Sequence, residues 1–253
     1  MDTEWLEVQE LEKSFDGIKA LSRFSCSLRQ GEILGLIGPN GAGKTTLLNS
    51  ISGFLTPESG KAMFQGMNLL GVPPHKIAMT GIARTFQNLR LIRQVSVLDN
   101  VLLYFRHQPG ERLGNNIFFR WKNGKVQEAA NRKEALRLLD EAGLSKKAND
   151  AAENLSYGQQ KLLSLVCCLA AKGELLLLDE PVAGIAPEMI EKILGIIRDL
   201  PNKGKSVILI EHNLDAVMQV SDRVIFMDAG AKVSEGMPED VRNDPKVIEA
   251  YID

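Results

Sequence analysis

Gly38-Pro39-Asn40-Gly41-Ala42-Gly43-Lys44-Thr45 fits the spacing G-x-x-x-x-G-K-[ST], and each residue type in it answers one need of a bound phosphate chain. Glycines let the backbone curl into a nest of N–H groups, and a helix opening at the lysine turns its positive end toward the same anion. Lys44 would reach the β- and γ-phosphates, while the Thr45 hydroxyl would bind Mg2+. Further along, Leu175-Leu176-Leu177-Leu178-Asp179-Glu180 closes an apolar run with two acids. Asp179 suits a Mg2+ partner, direct or through water, and Glu180 suits the polarising of an attacking water. Acids often end strands at a protein surface for no chemical reason. A phosphate loop in the same chain gives this pair its meaning.

These residues need elements to hold them. Glu32 to Ile37, directly before the loop, is a nearly continuous apolar run, the pattern of a central strand buried on both faces. Glu174 to Leu178 and Ser206 to Ile210 repeat it, each followed by a polar switch and a helical pattern. Buried strands alternating with helices imply a parallel α/β sheet. Residues 4 to 37 alternate apolar and polar positions, as in Phe24-Ser25-Cys26-Ser27-Leu28, and read as antiparallel strands leading into the core. Between about residues 88 and 171 helical periodicity takes over, in Val126 to Gly143 and Gly158 to Ala171. Arg106 to Lys125 mixes Gly, Pro and Asn with Ile117-Phe118-Phe119 and Trp121 and fixes no element.

The bulk numbers narrow the partners. With 30 basic and 32 acidic residues the net charge is -2, so no global field attracts nucleic acid or anionic lipid. Cys26, Cys167 and Cys168 form no disulfide framework and have no histidine at zinc-ligand spacing, so they read as buried thiols in a reducing cytosol. The acidic opening MDTEWLEVQELEKSF has no signal-peptide character, and the fully apolar stretch Leu175 to Leu178 is far below the ~20 residues a membrane span needs. Any membrane role is expected to pass through a partner.

A phosphate loop with two acids also serves kinases, GTPases and motors, so the class rests on what else the chain carries. Leu155-Ser156-Tyr157-Gly158-Gln159-Gln160 opens an amphipathic helix, with Ser156 placed as an N-cap. LSYGQQ is similar to the LSGGQ signature of ABC ATPases. GPNGAGKTT, LLLLDEP, Gln87 within Arg84-Thr85-Phe86-Gln87-Asn88, and His212 within Ile210-Glu211-His212-Asn213 complete that family's set in its chain order.

The resemblance covers almost the whole chain. It implies an α/β P-loop NTPase (ABC ATPase) core, residues 1–87 and 161–253, opening with antiparallel strands, and a helical subdomain, residues 88–160, that ends in the signature. It implies ATP and Mg2+ as cofactors, bound by Gly38, Pro39, Asn40, Gly41, Ala42, Gly43, Lys44, Thr45 and Thr46, with Phe15 stacked on adenine. Thr45, Gln87 and Asp179 would serve the metal, Glu180 would be the catalytic base, and Gln87 would link metal and water to the helical insert. His212 would contact the γ-phosphate. Ser156, Tyr157, Gly158 and Gln159 would cover the ATP of an opposite subunit, so the expected working unit is a homodimer, or a heterodimer with a second ABC ATPase.

Two positions depart from the family pattern. Tyr157 replaces the first signature glycine, and Ala186 in Val182-Ala183-Gly184-Ile185-Ala186-Pro187 stands where a polar interface residue is usual. ARTFQNLRLI, LSYGQQ, PVAGIAP and the closing PKVIEAYID resemble the ATPase subunits of branched-chain amino acid and amide importers. That implies membrane permeases as partners, a substrate-binding protein as an indirect one, no nucleic acid, and a peripheral place on the cytoplasmic face of the inner membrane. The apolar residues after Gln87, namely Leu89, Leu91, Ile92, Val95, Val97 and Leu98, are the expected permease-docking surface. ATPases of lipid or lipopolysaccharide exporters have similar endings and remain an alternative, as does a non-transport ABC ATPase acting on nucleic acid. A small-molecule kinase fits the signature and Glu180 poorly.

Overall fold

The computed structural model describes residues 5–105 and 117–252, which fall into two compact units: residues up to Gln87 together with Gly173 onward, and Asn88–Lys172. Among the described residues there are ten strands, all in the first unit: β1 Leu6–Phe15, β2 Ile18–Leu28, β3 Ile33–Ile37, β4 Ser59–Phe64, β5 Met67–Asn68, β6 Ile82–Arg84, β7 Leu175–Asp179, β8 Ser206–Ile210, β9 Arg223–Asp228 and β10 Ala231–Gly236. The helices are α1 Lys44–Ile51, α2 Pro74–Met79, α3 Val97–Leu102, α4 Ile117–Glu141, α5 Tyr157–Ala170, α6 Pro187–Arg198, α7 Leu214–Val220, α8 Pro238–Arg242 and α9 Pro245–Ile252.

The first unit holds two sheets. A four-stranded antiparallel sheet runs β2-β1-β4-β5, and a six-stranded sheet runs β10-β9-β3-β8-β7-β6. In the larger sheet β9, β3, β8, β7 and β6 are parallel, and only β10 is antiparallel. Every residue of β3, β7 and β8 is buried, which is why these strands are nearly continuous apolar runs without alternation, broken only by Ser206 at the start of β8 and Asp179 at the end of β7. Fully burying each of their Leu, Ile and Val side chains contributes about 1.5–3 kcal/mol before entropy is counted.

One core cluster joins Leu6, Leu28 and Phe64 of the antiparallel sheet to Leu36, Leu177 and Ile210 of the parallel one, and takes in Leu47 and Ile51 of α1. A second joins Ile37, Val224 and Phe226 to Val217 of α7, Val241 of α8 and Val247 of α9. Gly35 allows the closest approach on that side, because a Cβ there would stand 2.4 Å from Val217 Cγ1 and 2.7 Å from Ser221 Oγ. The antiparallel sheet extends further than the sequence reading placed it. Its strands β4 and β5 come from residues 59–68, beyond the alternating stretch that ended at residue 37.

The second unit gathers α3, α4 and α5. Ser96 caps α3 by accepting from Asp99 N at 3.0 Å, and the buried Asn100 side chain binds Ile92 N, Ile92 O and Ser96 O at 2.8–3.0 Å. The expected return to the core at residue 161 falls inside α5, which runs unbroken across it, and the unit closes at Lys172. A helix whose inward face is Leu162, Leu163, Leu165, Val166 and Cys167 cannot be divided between two cores. Of the undecided segment 106–125, residues 106–116 lie outside the described residues and the rest opens α4. Val97 and Leu98 are 0% and 2% exposed and belong to the core, correcting their place in the apolar docking surface. Leu89, Leu91 and Val95 are half-buried and Ile92 is exposed.

Candidate nucleotide site

Four adjacent strands of the parallel sheet, in the order β3-β8-β7-β6, end on one edge. Each delivers chemistry at its C-terminal end: the loop 38–43 after β3, His212 after β8, Asp179 and Glu180 at β7, and Gln87 after β6. That edge is where open parallel sheets bind ligands.

The loop's glycines are required by geometry. Gly38 has φ 146° and packs so closely that a Cβ would stand 2.0 Å from Met227 O, and Gly43, at φ 99°, would place one 2.2 Å from Ala20 O. Only glycine tolerates both demands. Gly43 is the N-cap of α1 and offers no side-chain acceptor, and the first turn of α1 carries no acid, so its N–H groups are left to an outside anion. The buried Lys44 ammonium arches back over the loop and donates to Gly38 O at 2.7 Å and Pro39 O at 2.9 Å. Burial pulls its pKa below the ordinary lysine range, and the charges of Glu180 and Asp179 work against that pull. Thr45 is exposed at the start of α1, Thr46 is half-buried, Asn40 and Gly41 are exposed, and Pro39 is half-buried over the buried Ala42.

Glu180 sits at the centre. Its Oε1 lies 2.8 Å from His212 Nε2, and its Oε2 accepts from Gln87 Nε2 at 3.2 Å. Its backbone is left-handed, φ 49°, a conformation that costs a non-glycine residue ~1 kcal/mol or more. Two bonds from the end of β8 hold that turn: Glu180 N donates to Ile210 O at 2.9 Å, and Val182 N donates to the buried Glu211 carboxylate at 2.7 Å. Asp179 is buried beside it, with its N–H donating to Thr85 Oγ1 at 3.0 Å. Sequence reasoning gave Thr85 and Glu211 no role. The signal for Glu211 was an acid directly after an apolar strand, the same signal that singled out Asp179 and Glu180.

Phe15 ends β1, an interior strand of its sheet, with its ring 47% exposed and the Lys13 ammonium 5.5 Å from the centroid. That exposure excludes a core role. The signature residues lie in the other unit. Ser156 caps α5 in a capping box, accepting from Gln159 N at 3.3 Å while Gln159 Oε1 accepts from Ser156 N at 3.1 Å. The Ser156 O–H is left able to donate. Tyr157 is exposed, with the Lys161 ammonium 5.8 Å from its ring centroid, and Gly158 is half-buried. Ala186 is the N-cap of α6, where it supplies no side-chain acceptor.

The parallel sheet, the phosphate loop and the carboxylates at its edge define a P-loop nucleotide-hydrolysing protein, and comparison with known proteins places it more closely. Residues 21–183 match the ABC transporter family, and the chain belongs to it as an ATP-binding, ATP-hydrolysing subunit. Residues 231–252 match the family described as branched-chain amino acid ATP-binding cassette transporter. The chain is 38% identical to the probable branched-chain amino acid transport ATP-binding protein LivG of Archaeoglobus fulgidus, over 98% of this chain and 95% of that one. It is 37% identical to the high-affinity branched-chain amino acid transport ATP-binding protein LivG of Escherichia coli K12, over 98% and 97%. The ADP conformation of MJ1267, an ATP-binding cassette of an ABC transporter, superposes with a TM-score of 0.84 at 33% identity, covering 99% of both chains.

Proposed function

We propose that this chain powers the import of branched-chain or related amino acids through separate membrane permeases, and that it does so as one half of an ATP-sandwiching dimer. The observation that carries the chemistry is the convergence of Lys44, Asp179, Glu180, Gln87 and His212 on one sheet edge.

In this reading the loop N–H groups and Lys44 hold the β- and γ-phosphates, and Phe15 stacks on the adenine. Thr45, Asp179 and Gln87 offer hard oxygen donors of the kind Mg2+ takes, and the bound ion would neutralise charge on the phosphates. Glu180 accepts a proton from water as the water attacks the γ-phosphorus and the bond to the β–γ bridging oxygen breaks, leaving ADP. A γ-phosphate gives His212 an anionic partner in place of Glu180 Oε1, which frees that oxygen for the water. Ser156 and the N–H groups at the start of α5 would close over the γ-phosphate of a second copy, using a helix N-terminus as the loop does. Ala186 offers no polar side chain through which the two sites of such a dimer could communicate.

Among the described residues no helix is long and apolar enough to cross a membrane, which fits a peripheral subunit docked to permeases on the cytoplasmic face. The half-buried Leu89, Leu91 and Val95 and the exposed Ile92 remain the proposed docking surface. The match at residues 231–252 favours amino acid import over lipid export. The chain is to be coexpressed with permeases and reconstituted. Charged substitutions at Leu91 and Val95 should then abolish assembly while leaving ATP binding intact. Assembly at wild-type level in both variants removes the docking surface, and ATPase stimulation by a lipid with none by leucine removes the substrate assignment.

A further inference from the structure

Arg84 ends β6 with its guanidinium almost entirely enclosed, 6% exposed against 2% for its partner Asp179. It reaches three acceptors on two elements. Nη2 donates to Asp179 Oδ2 at 3.1 Å, and Nη1 donates to Asn49 Oδ1 and to Ser52 Oγ, both at 2.8 Å. Asn49 lies in the last turn of α1 and Ser52 is its C-cap, so the cation also sits at the negative end of that helix. The rings of Phe54 and Phe86 stand 5.9 and 5.1 Å from its Cζ. Next to it, Thr85 N donates to Leu177 O while Thr85 Oγ1 accepts from Asp179 N, so β6 grips the end of β7 through backbone as well as side chain.

A buried ion pair adds little stability over well-packed apolar residues, because desolvation consumes most of the attraction. What this pair does supply is orientation. A helix is a stiff rod, so fixing the last turn of α1 fixes Thr45 in its first turn. We propose that Arg84 is a positioning residue for ATP hydrolysis: one guanidinium sets the Asp179 carboxylate and the phosphate-binding helix at a constant spacing, so that Thr45 and Asp179 meet the nucleotide's metal ion together. This rests on the nucleotide-site reading above. A lysine could keep the charge, but its single ammonium cannot span the same three acceptors.

The test uses the full chain, with Arg84→Lys and the double variant Asn49→Ala/Ser52→Ala, which keeps the ion pair and releases it from α1. ATP binding is measured in EDTA by equilibrium dialysis, and Mn2+ binding to the nucleotide-loaded chain by electron paramagnetic resonance. Metal-free ATP affinity should stay within about twofold, while Mn2+ affinity falls about 10–100-fold in Arg84→Lys, the usual cost of losing a group that orients a metal ligand, and by a smaller factor in the double variant. The kcat at saturating Mg2+ should fall with it and KM for ATP should not. Equal losses with and without metal would mean a merely structural role and overturn the proposal. So would tighter Mn2+ binding in Arg84→Lys, which would make Arg84 a competitor for the site. If Arg84→Lys fails to fold, unchanged Mn2+ affinity in the double variant overturns it alone. A wild-type chain that binds no nucleotide removes the underlying site reading and the proposal with it.

Discussion

Glu180→Gln separates binding from chemistry because the structure shows what each oxygen of that side chain does. Oε1 faces His212 Nε2 and Oε2 accepts from Gln87 Nε2, with the carboxylate 14% exposed. The amide keeps one acceptor, so one of the two contacts turns into a donor facing a donor. Losing one such bond costs ~1 kcal/mol, and in a chain of this size that lowers Tm by about 2–4 °C. The chemical cost is larger. A glutamine can orient the water but cannot take its proton, so kcat should fall by about 10²–10⁴, or ~3–5 kcal/mol in barrier. Lys44 and the loop N–H groups are untouched, so ATP affinity should stay within about threefold. Phosphate release, binding of a fluorescent ATP analogue and thermal melting measure the three quantities on one preparation. A kcat within tenfold of wild type, or a loss of ATP binding equal to the loss of rate, would show that Glu180 is not the base.

Lys44→Ala removes a buried cation that now donates to Gly38 O and Pro39 O. ATP affinity should drop by ~2–5 kcal/mol, about 30- to 5,000-fold, with near-native melting, as measured by dialysis and calorimetry. Gly35→Ala forces a Cβ to 2.4 Å from Val217 Cγ1. Overpacking of ~1–3 kcal/mol should lower Tm by several degrees and shift α7, whose chain leads in from His212, so kcat should fall with ATP binding retained. Burial pushes the Cys26 and Cys168 thiols up to about 12 and raises Cys167 as well. All three should resist iodoacetamide at pH 8 when folded and react at once in guanidinium. Because the folded thiols hold their protons after unfolded ones lose them, stability is fully present below pH 9 and falls as pH rises toward 12, which denaturant titrations across that window check.

What could be read in advance was whatever the sequence states locally. Buried strands such as β3 and β8 are nearly continuous apolar runs, and the loop's glycines and Lys44 carry their geometry in their spacing. Short strands give no such run: β5 has two residues and β6 three, too few for any period to show. Val97 and Leu98 continue an apolar stretch with exposed and half-buried neighbours, and their burial shows only once α3 is folded, with their N–H groups donating to Asp150 O and Ala148 O. Arg84 was hidden for a further reason. Its partners Asn49, Ser52 and Asp179 come from elements far apart in the chain, and an arginine on a strand reads as exposed until those partners are in place.

The most direct test of the whole account is leucine accumulation by proteoliposomes holding this chain with its permeases and substrate-binding protein, with ATP supplied on the side this chain occupies. The account predicts accumulation that requires ATP, stops with Glu180→Gln in place of wild type, and is matched by leucine-stimulated phosphate release. Accumulation that continues without ATP or with Glu180→Gln would contradict it.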